Sequence, residues 1–253
     1  MTFKIEFGAQ PHRSVVQVYF EEKHFSLAYY NDSFDLHVGD IVYVEGKQEG
    51  VRGRVSSVNY NFKIKLSDYK RVIAVADTDI HGKFFTAGSH FMTFDREALP
   101  FEKVRGWFIA PAKEDDEFVS GSDGEESFPL SSLEKMKITS AVAERGHECY
   151  IDNKVKYLCI DGTKGCAIVE GTRCYEVEFE YRDGKISALA CSCFCSYHCK
   201  HSFAAMLQLK EALEIISKNY SDEYERTGYF ATITKEALFS FAIDGKERLG
   251  FTL

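Results

Sequence analysis

The chain has 253 residues, 45% of them hydrophobic and 28% charged, which is the profile of a folded globular protein with room for one large or two modest cores. No apolar run approaches the roughly 18 residues a transmembrane helix needs, and the N-terminus MTFKIEFGAQPHRS alternates like a strand where a secretion signal would be basic and then apolar. A net charge of −8 argues against a surface coated throughout for nucleic acid, and eight cysteines in a chain expected to stay in a reducing cytoplasm point to metal or catalysis before disulfides.

In chain order, residues 1–110 read as a small β-rich domain, with equal numbers of acids and bases. DIVYVEGKQEGVRGRVSSV alternates apolar and polar residues on both sides of Gly46–Gly50, a hairpin pattern, and FKIKL after Asn59-Tyr60-Asn61 alternates again. A strongly bent antiparallel sheet or small barrel is predicted, with one weak helical candidate at Asp95–Lys103. Residues 111–128, PAKEDDEFVSGSDGEESF, carry a net −6 and are expected to be a solvated acidic linker.

Residues 129–253 are predicted to form an α+β domain. Ser131-Ser-Leu-Glu134 has the spacing of a capping box, which places a helix from there to about Arg145 with Gly146 as its left-handed cap. Strands are predicted at Glu148–Ile151, Lys156–Ile160, Gly165–Val169, Tyr175–Tyr181 and Lys185–Ala190, with a turn at Arg182-Asp-Gly184. His201–Lys218 lacks Gly and Pro and places Ala205, Met206, Leu209, Ala212, Leu213 and Ile216 on one helical face. Phe203 and Leu207 fall near the polar side, so they are expected to be covered by the adjacent sheet or by a partner. FATIT and KEALFSFA close the chain as a strand and a short helix.

Between the strand Lys185–Ala190 and the helix that follows lies CSCFCSYHCKH, residues 191–201. Cys191 and Cys193, two apart at a strand end, can point to one side. Cys199 and His201 at the helix start can supply a second pair. Two such pairs give the tetrahedron expected of structural zinc, so the predicted ligands are Cys191, Cys193, Cys199 and His201. Cys195 could replace Cys191, but only three residues would then precede Cys199. His198 could compete with His201, although it sits beside Cys199. An iron–sulfur cluster would favour four thiolates at other spacings, and no Cys-x-x-Cys redox pair is present. Cys149, Cys159, Cys166 and Cys174 read as buried, inert thiols.

A strand hairpin ending in Cys-x-Cys, followed by a helix opened by Cys-x-His, resembles the SWIM zinc finger. ERGHECYIDNKV, GCAIVEGTRCYEVEFEYRDGKI and ACSCFCSYHCKHSFAAML follow that family's order over about residues 139–215, with the finger core near 175–218. The resemblance implies zinc binding, a ββα finger and contact with DNA or other proteins. SWIM fingers accompany Swi/Snf-type helicases and Mutator-type transposases. This chain carries no motor, so an accessory protein is implied.

No phosphate loop, HExxH motif or nucleophile elbow is present, and a four-ligand zinc leaves no open position for substrate, so a non-enzymatic binding role is expected. Arg52–Arg71 holds six basic residues against Asp68. If residues 51–58 and 61–67 pair, Arg52, Arg54, Lys63 and Lys65 share one face, with Arg54 opposite Lys65, and phosphate is one anion that would relieve the repulsion. Tyr60, Phe62 and Tyr69 would offer stacking surfaces. DNA contact is therefore one reading. A protein-interaction module, with Phe203 and Leu207 as contact residues, is the alternative.

Overall fold

The computed structural model describes residues 12–112, 127–195 and 198–243. The fold is α+β and contains two antiparallel sheets, of five and eight strands. Among the described residues no helix is long and apolar enough to cross a membrane.

The smaller sheet comprises β1 (Ser14–Phe20), β2 (Phe25–Asn31), β3 (Ile41–Val44), β4 (Gly53–Asn59) and β5 (Val72–Val75), in the order β2-β1-β4-β3-β5. Strict alternation in SVVQVYF sends Val16, Val18 and Phe20 into a core with Tyr29, Val42, Val44 and Val55 and leaves Gln17 outside. Gly53 is required where β4 crosses β1, since a β-carbon there would lie 2.2 Å from Val18 Cγ1. The sheet is bent but is not a closed barrel. Among the described residues, one parallel bridge, Tyr30 with Arg71, links its edges.

The expected hairpin around Gly46–Gly50 is present as β3–β4, pairing Ile41 with Arg54. The expected arm at 61–67 is absent. Residues 60–71 instead form a connection containing a single 3-10 turn at Leu66–Asp68, and β4 is flanked by β1 and β3. β1 takes one edge of β4 along Arg54–Asn59 and β3 takes the other at Gly53–Arg54, and FKIKL is not a strand of the sheet. The Arg54–Lys65 opposition therefore does not form.

The larger sheet adds β6 (Phe85–Ala87), β7 (His90–Thr93), β8 (Phe128–Pro129), β9 (Val155–Asp161), β10 (Lys164–Glu170), β11 (Cys174–Arg182), β12 (Lys185–Cys191) and β13 (Tyr229–Thr234), ordered β6-β7-β13-β9-β10-β11-β12-β8. The helices are α1 (Phe101–Phe108), α2 (Ser140–Ile151), α3 (Lys200–Asn219), α4 (Ser221–Thr227) and α5 (Lys235–Leu238), the last running into a π turn at Phe239–Ile243. The central strands are buried on both faces, and period-two alternation divides them between two cores. Leu158, Ile160 and Val177 pack with Ala205, Leu209 and Ile216 of α3. Tyr157, Cys159 and Ile168 pack with Trp107 of α1, Leu238 of α5 and Phe241.

The predicted break at 111–128 does not coincide with the boundary between the sheets. Most of that acidic stretch, 113–126, lies outside the described residues. Residues 85–93 hydrogen-bond into the larger sheet, Ala231 pairing with Thr93 and Ile233 with Phe91, and α1 packs on the same sheet. The smaller sheet also packs on α1: Tyr43 donates its hydroxyl to the Gly106 carbonyl at 3.1 Å, and Ile41 joins the Trp107 core.

The expected helix from Ser131 is only a 3-10 turn at Leu133–Lys135. The true start is Thr139, whose hydroxyl accepts the Val142 N–H at 3.3 Å. The predicted strand at Glu148–Ile151 is the end of this helix. Gly146 lies inside it because α2 crosses α3 there: a β-carbon would stand 2.8 Å from Phe203 Cδ1 and 2.9 Å from the Lys200 carbonyl oxygen. Phe203 is thus covered by α2, where the sheet was expected.

Candidate metal centre

The β11–β12 hairpin turns at Asp183-Gly184, both with positive φ, the conformation of the tightest antiparallel connections. It carries Cys191 to the end of β12, opposite Val177. Beyond the strand, Ser192 stays tied to β11: its N–H donates to the Glu176 carbonyl and its hydroxyl accepts the Glu176 N–H, each at 2.9 Å. That tether presents Cys193 on the same side as Cys191.

The second pair comes from the start of α3. Cys199 is the N-cap residue, and its sulfur accepts the Ser202 N–H at 3.5 Å while Ser202 Oγ accepts the Cys199 N–H at 2.9 Å. A sulfur occupies the place usually taken by a Ser or Asp oxygen, in the positive field of the helix N-terminus. His201, one residue into the helix, is 5% exposed and is clamped by Tyr175, whose ring stacks on it at 4.4 Å and 25°. Gly171 sits against the Nε2 edge of His201 and the Tyr175 ring together. A β-carbon at that position would lie 2.8 Å from His201 Nε2 and 2.9 Å from the Tyr175 ring.

Cys191, Cys193, Cys199 and His201 bring one donor atom each to within 4.8 Å of one another. His201 Nδ1 stands 3.7 Å from Cys199 Sγ and 3.9 Å from Cys191 Sγ. A tetrahedral zinc with metal–sulfur bonds of about 2.3 Å and a metal–nitrogen bond near 2.05 Å has sulfur–nitrogen edges of about 3.6 Å, so small adjustments suffice. The imidazole points Nδ1 at the sulfurs, and its buried Nε2 has no hydrogen-bond partner among the described residues. A metal ligand at this position would carry its proton on Nε2 and offer the Nδ1 lone pair. The four side chains can hold a metal ion.

Without a metal, the sulfurs share one proton-deficient position. A hydrogen bond from Cys191, aided by His201 and Ser202 and opposed by burial, holds the Cys199 thiol down to about 2. The same hydrogen bond and burial push Cys191 far up, and burial raises Cys193 to about 11. A bound dication would displace the protons from these last two.

The competing ligands are not gathered. Cys195 is exposed, and the His198 ring faces Phe128 at 6.1 Å. The remaining cysteines hold one feature the sequence reading missed: Cys159 and Cys166 are direct cross-strand neighbours whose sulfurs hydrogen-bond. Equal spacing from the Gly162-Thr163 turn was the available signal.

The four expected phosphate contacts are not assembled on one face. Arg52 donates to the Trp107 carbonyl at 3.1 Å and lies 4.5 Å above the Phe241 ring. Arg54 pairs with Glu21 at 3.3 Å and donates to the carbonyls of Gly39 and Ser240. Both arginines are committed to the seam between the sheets. Their sequence pattern was right for cations but blind to the chain 186 residues away that Arg54 reaches. Lys63 and Lys65 are exposed in the 60–71 connection and have no ion-pair partner among the described residues.

No known protein family, curated protein or solved structure matches the chain.

Proposed function

We propose that the Cys191–Cys193–Cys199–His201 cluster holds a structural zinc ion in a SWIM-type finger, and that the chain is a non-enzymatic accessory that contacts DNA alongside a machine such as a Swi/Snf-type helicase. The observation that supports this most is the donor set itself: three sulfurs and one imidazole nitrogen converging from a strand end and a helix start. Soft thiolates with one imidazole favour zinc over hard cations, and four protein ligands leave no open coordination position for water or substrate. The ion then ties the β11–β12 hairpin to α3, and the surface around that unit does the binding.

The DNA contact rests on Lys63 and Lys65, with Tyr60 exposed beside them, now without Arg52 and Arg54. The alternative of a protein-docking module is less supported at its named residues, because Phe203 and Leu207 are partly buried against the larger core and Phe203 lies against Gly146 of α2. Binding of a duplex oligonucleotide measured against salt tests the reading. Each phosphate neutralised contributes about 0.9 to the log–log slope, so Lys63→Glu/Lys65→Glu should flatten it by nearly two. Absence of duplex binding at low salt would remove the DNA reading and leave the metal centre standing.

A further inference from the structure

We propose that the tip of the hairpin–helix unit is a stacking site for an unpaired nucleobase, with Phe194 as its platform and Arg173 as the partner of the adjoining phosphate. This rests on the nucleic-acid reading above and names a strand class and a second site, separate from Lys63 and Lys65. Phe194 is 96% exposed, whereas the next most exposed large apolar side chain described, Ile151, is 60% exposed. The ring follows directly on Cys193, a member of the metal cluster, so a bound ion would fix its backbone.

A ladder of planar groups backs it. The Arg173 guanidinium carbon lies 5.9 Å from the Phe194 ring centre and 5.3 Å from that of Tyr175. Tyr175 in turn stacks on His201 and shares a hydrogen bond with Thr172 Oγ1 at 2.8 Å. Arg173 is exposed and has no carboxylate partner among the described residues. Glu170 and Glu176, on the strands beside it, are occupied by Lys156 at 3.3 Å and Arg105 at 2.7 Å. The tip therefore offers an apolar π-face beside an unneutralised guanidinium, which are the two chemistries that a nucleotide presents in return.

The strand must be unpaired. In a duplex both faces of an internal base are covered by its neighbours, so a protruding ring finds a free face only in a single strand, a gap or an end. Anisotropy of the full-length, zinc-loaded chain with labelled oligo(dT), and with a duplex of equal length, tests the site. Phe194→Ala should weaken oligo(dT) binding roughly ten-fold or more, with metal content and duplex affinity unchanged. Phe194→Leu, apolar but without a π-face, should weaken it too, and Arg173→Gln should flatten the salt dependence of single-strand binding. Wild-type oligo(dT) affinity in both Phe194 variants would overturn the inference. If duplex binding still depended on Lys63 and Lys65 in that case, the DNA reading would survive alone; no binding to either probe removes both.

Discussion

Two residues of one type, four positions apart, have opposite fates at this centre. Cys199 is buried at a helix cap with its sulfur against His201, whereas Cys195 is exposed outside the cluster. Cys199→Ser should therefore abolish metal binding and Cys195→Ser should leave about one ion per chain by elemental analysis. Retained metal in the first variant, or lost metal in the second, would reassign the ligands. A separate residue-scale effect belongs to His90, which is 3% exposed and donates from Nε2 to the Val155 carbonyl at 3.1 Å. Burial lowers its pKa, with Lys156 and Lys235 acting the same way and the Val155 hydrogen bond and Glu211 opposing. The unfolded chain takes up the proton first, near pH 6.5, so the stabilising contribution is complete above that value and declines as pH falls toward the depressed folded pKa. Urea denaturation between pH 7.5 and 5 should show a shallower decline for His90→Gln than for the wild type; parallel curves would contradict this.

At the scale of elements, the α2–α3 crossing sets Gly146. Alanine is the better helix former by about 1 kcal/mol, but a β-carbon facing the Lys200 carbonyl oxygen at 2.9 Å meets backbone that cannot swing aside. Overpacking of this kind costs about 1–3 kcal/mol, so it wins. Gly146→Ala should lower Tm by several degrees in thermal denaturation, and a rise would show that the helices separate freely. This position also marks what sequence periodicity could reach. The strands from Val155 to Cys191 and the helix from Lys200 were legible because each buries alternate or stripe-forming apolar residues. Gly146 read as a helix end because a glycine forced by a neighbouring helix looks the same as one forced by a left-handed cap. Ser131 looked like a cap for a similar reason: the spacing to Glu134 was present, but Thr139 made the actual hydrogen bond.

At the scale of the whole molecule, the sequence hid how the two sheets share residues. The strands at 85–93 belong to the larger sheet only through β13, more than 130 residues later, and local patterning carries no trace of such pairing. Arg52 and Arg54 went astray in the same way, since their partners Trp107, Phe241 and Ser240 lie on distant elements. The four candidate metal ligands escaped this difficulty. All fall within eleven residues, and the set preferred over Cys195 and His198 is the one the fold draws together.

X-ray absorption at the zinc edge of the purified full-length chain tests that set most directly. The account predicts one bound zinc with three sulfur neighbours at about 2.3 Å and one nitrogen at about 2.0–2.1 Å. A chain that takes up no zinc under reducing conditions, or a shell of oxygen and nitrogen without sulfur, would contradict it.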